Sequence, residues 1–170
     1  MKTIGECYGR TLRTRFGLGP RPVEDAQLVA IARSLGLCVQ ERDLVDVREV
    51  WASDLLVINS RLPREQRRWL LAHGIGHHAL HIGNLFVLPT ATIARQEREA
   101  DLLAGAMLLG DSARRMDRAE LAAYHQLPEE ALTRWFGLRA GTFTFLGHWH
   151  RQFSFAHLPG AKVGYLARSG

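Results

Sequence analysis

Two histidines four residues apart, His73 and His77, are the residues whose type and spacing most directly indicate chemistry. On an α-helix this spacing places both imidazoles on one face about one turn apart, as a tetrahedral metal requires of two ligands. Glu97 and Asp101 repeat the spacing in a second segment of helical composition. Because a catalytic zinc site takes three protein ligands and keeps one position open, Glu97 is a candidate third ligand, and Asp101 a candidate acceptor for a histidine N–H.

Both pairs also have an ordinary explanation. The chain has eight histidines, so a pair at helical spacing arises readily by chance on a helix surface. Carboxylates four residues apart are commonly part of a solvated helix face. The order of the two segments along the chain therefore matters more than either pair alone.

Gly74 occupies the position that decides whether such a site can hydrolyse a peptide. In the His-Glu-x-x-His signature of zinc peptidases, the residue after the first histidine is a glutamate that removes a proton from the attacking water. Here that glutamate is missing. His78 lies one turn further along the same stripe and is the substitute base that the local sequence offers. The alternative is that the His78 side chain packs or faces solvent.

These segments, in this order, resemble the ImmA/IrrE family of metallopeptidases over residues 22–137. The resemblance is carried by residues 57–60 (Val-Ile-Asn-Ser), 61–63 (Arg-Leu-Pro), 67–68 (Arg-Arg), 72–77 (Ala-His-Gly-Ile-Gly-His), 97–104 (Glu-Arg-Glu-Ala-Asp-Leu-Leu-Ala) and 107–110 (Met-Leu-Leu-Gly). Three positions depart from the family pattern: Gly74 replaces the catalytic glutamate, Leu103 the usual phenylalanine, and Gly110 the closing proline. Only the first departure affects the mechanism.

The resemblance implies an α+β, zincin-like metallopeptidase domain in which a small sheet packs on the metal-binding helices, followed by a helical hairpin and a short β-rich segment. It implies His73, His77 and Glu97 as metal ligands and Asp101 as their outer-shell partner, with no residue carried over as general base. Zinc, one ion per chain, is the default metal for two nitrogens and one carboxylate. The partner implied is a helix-turn-helix repressor of phage, mobile-element or stress-response genes, on which family members usually act by proteolysis.

The sequence leaves three functions open. A pseudo-peptidase that binds its repressor without efficient cleavage is favoured, because a positioned general base is typically worth about 10²- to 10⁴-fold in rate. An active but slow zinc endopeptidase with a substitute base is the alternative. A DNA-binding regulator that uses residues 117–138 and the basic N-terminal arm is a third, weaker interpretation.

The composition limits the kind of protein and the cellular compartment that we expect. A chain of 170 residues with 46% hydrophobic residues suits one core. Its two cysteines fit neither a disulfide framework nor a Cys-x-x-Cys metal site, and we expect reduced thiols. We find no apolar run of membrane-spanning length and no signal peptide, and so expect a cytoplasmic protein. The net charge of +5 is spread along the chain, which does not favour direct nucleic-acid binding.

We divide the chain into three parts: a basic arm or short helix (1–21), a metal-binding domain including a helical pair (22–138), and a β-rich extension (139–170). The predicted elements are helices at 22–35, 63–81, 92–109, 117–126 and 128–138, strands at 37–41, 54–59, 85–88, 142–146 and 163–166, and a turn or edge strand at 49–53. His148 and His150 alternate with Trp149 and could form a metal pair on a strand. The absence of cysteine or carboxylate partners at ligand spacing argues against that pair.

Overall fold

The computed structural model describes residues 3–81 and 89–141. The elements in these ranges are α1 (Ile4–Arg15), α2 (Asp25–Ser34), β1 (Cys38–Arg42), β2 (Glu49–Ala52), β3 (Leu55–Asn59), α3 (Arg64–Leu80), α4 (Thr90–Leu109), a 3-10 helix (Gly110–Arg114), α5 (Arg118–His125) and α6 (Glu129–Ala140). The predicted α+β class is confirmed. The strands predicted at 85–88, 142–146 and 163–166 and the histidines His148 and His150 lie outside the described residues.

The three strands form one small mixed sheet in the order β1-β3-β2. β1 runs parallel to β3, while β2 runs antiparallel to it and pairs Glu49 with Ile58 and Trp51 with Leu56. Of the two alternatives for residues 49–53, the edge strand is therefore the one observed. The central strand is the most buried, with Leu56 and Ile58 almost fully shielded from solvent.

Helices α3 and α4 pack closely against each other and carry the two predicted pairs of polar residues. Their backbones approach at Gly76, where a Cβ atom would lie 2.9 Å from the Cα of Ala100. Gly76 therefore permits close helix packing. This approach brings the histidine face of α3 against the carboxylate face of α4.

The N-terminal segment is a helix packed on α4, so the arm alternative for residues 1–21 does not apply to the described part. α1 begins with a capping box formed by Thr3 and Glu6. The guanidinium of Arg13 donates to the carbonyl oxygen of Met107 at 2.6 Å and to that of Leu18 at 3.2 Å. Arg13 thus satisfies a carbonyl at the C-terminal end of α4 and ties α1 to it.

Helices α5 and α6 form the predicted helical hairpin. Asp117 caps α5 in a capping box with Glu120. α6 packs on α4 through the buried side chains of Leu132 and Trp135, and the Trp135 indole N–H donates to the carbonyl oxygen of Leu102 at 3.4 Å. The pair is thus packed on α4, and its use on DNA stays a prediction.

In the described ranges, no helix is long and apolar enough to cross a membrane. Cys7 and Cys38 are both exposed and unpaired.

His125 is a buried histidine that links folding stability to pH. It is 1% exposed, and neither ring nitrogen has a hydrogen-bond partner among the described residues. Burial, reinforced by the charges of Arg13 and Arg68, lowers its pKa from 6.5 to about 4. The unfolded chain therefore binds a proton at this residue between pH 6.5 and 4 while the folded protein does not, so its contribution to stability is lost as the pH falls through that window.

We expect the free energy of unfolding to fall by about 3 kcal/mol through His125 between pH 7 and pH 4. In a His125→Leu variant this component should vanish. The free energy of unfolding of the variant minus that of the parent should therefore rise as the pH falls. Urea unfolding of both proteins at pH 7.5, 6 and 5 measures that difference. A difference that is constant across the three pH values would contradict the assignment.

Candidate metal centre

Three donor atoms from α3 and α4 converge on one point. The Nε2 atoms of His73 and His77 lie 3.0 Å apart. One Glu97 oxygen lies 3.2 Å from His73 Nε2, and the other lies 3.0 Å from His77 Nε2. Among the described residues, these three form the group whose donor atoms all lie within 4.8 Å of one another. All three residues are buried, so the site is held by the core rather than by mobile surface side chains.

This donor set fits a tetrahedral cation. Zinc bonds of about 2.0–2.1 Å place neighbouring donors roughly 3.3 Å apart, close to the separations observed between the two histidines and Glu97. A neutral imidazole that carries its proton on Nδ1 presents a lone pair at Nε2. Two such lone pairs facing each other across 3.0 Å repel, and a cation between them removes the repulsion. His73, His77 and Glu97 are therefore the residues that would hold the metal.

Asp101 orients His73, as its spacing from Glu97 suggests. Its Oδ1 lies 2.9 Å from Nδ1 of His73, so the ring donates its N–H to the carboxylate and presents Nε2 to the site. Asp101 is itself held by Arg134 of α6, whose Nη2 donates to Oδ1 at 2.8 Å and whose Nε lies 2.8 Å from Oδ2. The helical pair thus fixes the outer shell of the site.

His77 has an outer-shell partner that the two predicted pairs do not include. Its Nδ1 lies 3.2 Å from Nδ1 of His81, and His81 Nε2 lies 3.2 Å from a Glu99 oxygen. When His77 Nε2 is free to bind metal, His77 Nδ1–H donates to His81, and His81 Nε2–H donates to Glu99. Burial lowers the pKa of His81, which favours the neutral ring that this chain of hydrogen bonds needs.

The electrostatics of the metal-free site are those of an ion-binding pocket. Burial opposes ionisation of His73, but the hydrogen bond and charge of Asp101, followed by those of Glu97, outweigh it and raise the pKa of His73 to about 10. Burial would raise the pKa of Glu97, but the charges and hydrogen bonds of His77 and His73 hold it well below its usual value. In the absence of metal, protons thus occupy the space that a cation would fill, and metal binding must release them.

Gly74 faces the sheet, where two side chains occupy the space a larger residue would need. A Cβ atom at this position would lie 2.5 Å from Cδ2 of Leu56 and 2.9 Å from Cζ2 of Trp51. The Trp51 ring also packs edge-on against His77, with centroids 6.0 Å apart. The missing glutamate therefore does not leave an open space, because the sheet fills it.

His78 adopts the packing alternative. Its Nε2 lies 2.9 Å from the carbonyl oxygen of Leu35 at the end of α2, so the ring donates to the backbone there. The substitute-base hypothesis for His78 receives no support from this geometry, because the hydrogen bond directs its ring toward α2.

A different carboxylate interacts electrostatically with the donor residues. Glu49, at the start of β2, is only 9% exposed, and its Oε2 has no hydrogen-bond partner among the described residues. Burial raises its pKa, and the charge of Glu97 adds to that shift, while the charges of His73 and His77 and a hydrogen bond with Trp51 oppose it. Glu49 thus lies within electrostatic reach of all three donor residues.

Sequence reasoning missed Glu49, His81, Glu99 and Arg134 as parts of the site. His81 had a usable signal, because it continues the four-residue spacing of His73 and His77. Glu49 and Arg134 belong to other elements, and only tertiary packing brings them to the site.

The fold and the site together define a zincin-like domain with a candidate metal centre, in which one helix supplies two histidines and a second supplies a carboxylate. A comparison of the sequence with known families finds a match to Peptidase M78, the IrrE N-terminal-like domain, over residues 31–139. The chain therefore belongs to this metallopeptidase family, and the resemblance to ImmA/IrrE proteins is confirmed. A comparison with curated proteins finds no match.

Asp101 offers a test of the outer shell. We expect Asp101→Asn to weaken zinc binding by roughly 10- to 100-fold, because the amide no longer orients and polarises the His73 ring. The substitution also removes the carboxylate charge that faces the buried Arg134, so a lower melting temperature should accompany the change. Competition with a chromophoric chelator measures the affinity. Asp111→Asn, at a largely exposed carboxylate, is the control that should bind zinc like the parent.

Proposed function

We propose that this chain is a zinc-dependent endopeptidase that slowly cleaves a helix-turn-helix transcriptional repressor. The observation that carries the proposal is the convergence of three donor residues, His73, His77 and Glu97, among the residues that the structure describes. A set of three protein donors is typical of catalytic zinc sites, whereas structural sites are closed by four protein ligands. The outer-shell carboxylates of Asp101 and Glu99 support the same interpretation, since they orient both rings.

When bound, a divalent cation at this site supplies Lewis acidity, which polarises a carbonyl group and makes water more acidic. The chain supplies the remaining requirements. His73 and His77 are held in fixed orientations by Asp101 and His81, so little reorganisation is needed during the reaction. The burial of these groups strengthens their electrostatic effect on a reacting peptide.

Binding of the repressor without cleavage is the second candidate function. It is favoured by one specific observation, namely that Trp51 and Leu56 fill the space beside Gly74 where a family peptidase carries its glutamate. In this alternative the metal centre stabilises a binding surface.

A single incubation distinguishes the two candidates. The purified protein, loaded with one equivalent of zinc, is mixed with the repressor encoded beside its gene, and the products are followed by intact-protein mass spectrometry. We expect two fragments that appear slowly, need zinc and are absent with His77→Ala. A stable complex with an intact repressor supports the binding function instead. If the repressor is neither cleaved nor bound, both candidate functions are contradicted.

A further inference from the structure

Glu49 is a buried carboxylate that hydrogen-bonds with Trp51 but leaves one of its oxygens unpaired. Its Oε2 is fully shielded from solvent and lacks a hydrogen-bond partner among the described residues. Leaving a buried oxygen unsatisfied costs free energy, and more so when the group is charged. Such unfavourable groups persist mainly where function requires them.

The geometry of β2 places the Glu49 side chain on the face of the strand that packs against the turn of α3 containing Gly74 and His77. Side chains two residues apart on a strand point to the same face, so Glu49 and Trp51 face the same way. Trp51 lies against that turn, because its ring is near the Cβ position of Gly74 and packs edge-on against His77. Glu49 therefore points toward the same part of α3 from two residues earlier on the strand.

The start of β2 is held firmly. Glu49 pairs with Ile58 in the sheet. The Asn59 side-chain amide donates to the carbonyl oxygens of Leu44 and Val47 at 2.9 and 2.8 Å, which fixes the loop that leads into the strand. The carboxylate is thus presented by a rigid element, as a catalytic group must be.

Glu49 interacts electrostatically with the donor residues without belonging to the donor group. The charges of His73, His77 and Glu97 all act on its carboxylate. Yet Glu49 is outside the group of donors that lie within 4.8 Å of one another among the described residues. A group that accepts a proton from water in the site needs this placement, close to the ligands but outside the ligand set.

We propose that Glu49 is the general base of this protein, acting from the edge strand in place of the glutamate that is missing at position 74. The inference rests on the proposed peptidase function. The oxygen of a water molecule bonds to the scissile carbonyl carbon while one water proton moves to Oε2 of Glu49. The C–N bond then breaks, and the same proton passes from Glu49 to the leaving amine nitrogen. Glu49 ends the cycle ionised, and no reactant other than water is consumed.

Glu49→Gln tests the proposal because it keeps the shape of the side chain and removes its basicity. We expect repressor cleavage to fall by roughly 10²- to 10⁴-fold, while zinc stoichiometry stays at the parental value. The metal-free variant should melt at the same temperature or higher, since a buried carboxylate with an unsatisfied oxygen has been replaced by a neutral amide. A residue needed only for folding would lower the melting temperature instead. Glu41→Gln, at a half-exposed carboxylate on strand β1, should match the parent in all three measurements.

A second readout does not depend on cleavage. Cobalt(II) replaces zinc, and its visible absorption is titrated with pH, which reports on water at the cation and on groups hydrogen-bonded to that water. We expect the midpoint to move by at least about one pH unit in Glu49→Gln, the effect of roughly 1.4 kcal/mol of lost interaction, and not to move in Glu41→Gln. Glu49→Asp keeps the charge on a shorter side chain and should retain part of the parental titration.

The outcomes separate this inference from the proposed function. If the parent cleaves the repressor and Glu49→Gln cleaves it equally fast, the role of Glu49 is overturned and the peptidase function is left intact. A parent that never cleaves overturns the peptidase function, and the cobalt titration then decides whether Glu49 contacts the water. An unchanged midpoint in a folded Glu49→Gln variant overturns the inference in every case.

Discussion

We expect the His77→Ala variant to lose zinc. Removal of an outer-shell partner costs up to roughly 100-fold in zinc affinity, and removal of this ligand should cost well over that. The substitution removes one of three converging donors and leaves one imidazole and one carboxylate, which is too few for a stable catalytic site. It also removes the partner of His81 and the ring against which Trp51 packs. Zinc content by mass spectrometry after dialysis, together with chelator competition, measures the loss.

His78→Ala is the matched control for this substitution. His78 is the next residue on the same helix, but its ring donates to the Leu35 carbonyl oxygen and not into the metal site. The control should therefore keep its zinc at parental affinity. Equal zinc affinity in His77→Ala and the parent would refute the ligand assignment, and so would equal loss in the two variants.

A glutamate introduced at position 74 should destabilise the protein and should not raise cleavage. Any side chain there must begin with a Cβ atom 2.5 Å from Leu56 and 2.9 Å from Trp51, closer than atoms can approach. Leu56 is fully buried and has little room to move. Overpacking of this kind typically costs about 1–3 kcal/mol, which outweighs the gain of about 1 kcal/mol in helix propensity when glycine is replaced by alanine.

Urea unfolding of Gly74→Ala and Gly74→Glu measures this cost. The effect of Gly74→Ala should shrink when Leu56 is also changed to alanine, because the two positions share the crowded space. Gly19→Ala is the control, since no atom lies within 4 Å of its Cβ position. Stability equal to the parent in Gly74→Glu, or cleavage that appears only in that variant, would contradict the structural account of this position.

The part of the site that the sequence predicts is the part set by helical periodicity. His73 and His77, and likewise Glu97 and Asp101, are four residues apart, and that spacing alone places each pair on one helix face. The role of Gly76 can be inferred in the same way, because an interior glycine in a helix often marks the close approach of a neighbouring backbone. Local spacing and residue type are therefore sufficient to assign these residues.

The remaining features depend on packing between elements that are distant in the chain. Trp51 and Leu56 approach Gly74 only because the edge and centre of the sheet lie across α3, and no pattern in the sequence encodes that crossing. The direction of His78 is set by a backbone carbonyl at the end of α2. Periodicity within α3 therefore indicates His78 as a substitute base and gives no indication of Glu49.

The central claim is that the chain holds a metal through two histidines and a carboxylate. X-ray absorption at the zinc edge of the protein loaded with one equivalent of zinc tests it most directly. We expect a shell of nitrogen and oxygen neighbours at about 2.0–2.1 Å, together with outer-shell scattering from two imidazoles. The two-imidazole scattering should be lost in His77→Ala. A sulfur shell at about 2.3 Å, indicating ligation by Cys7 or Cys38, or a spectrum unchanged by His77→Ala, would contradict the account.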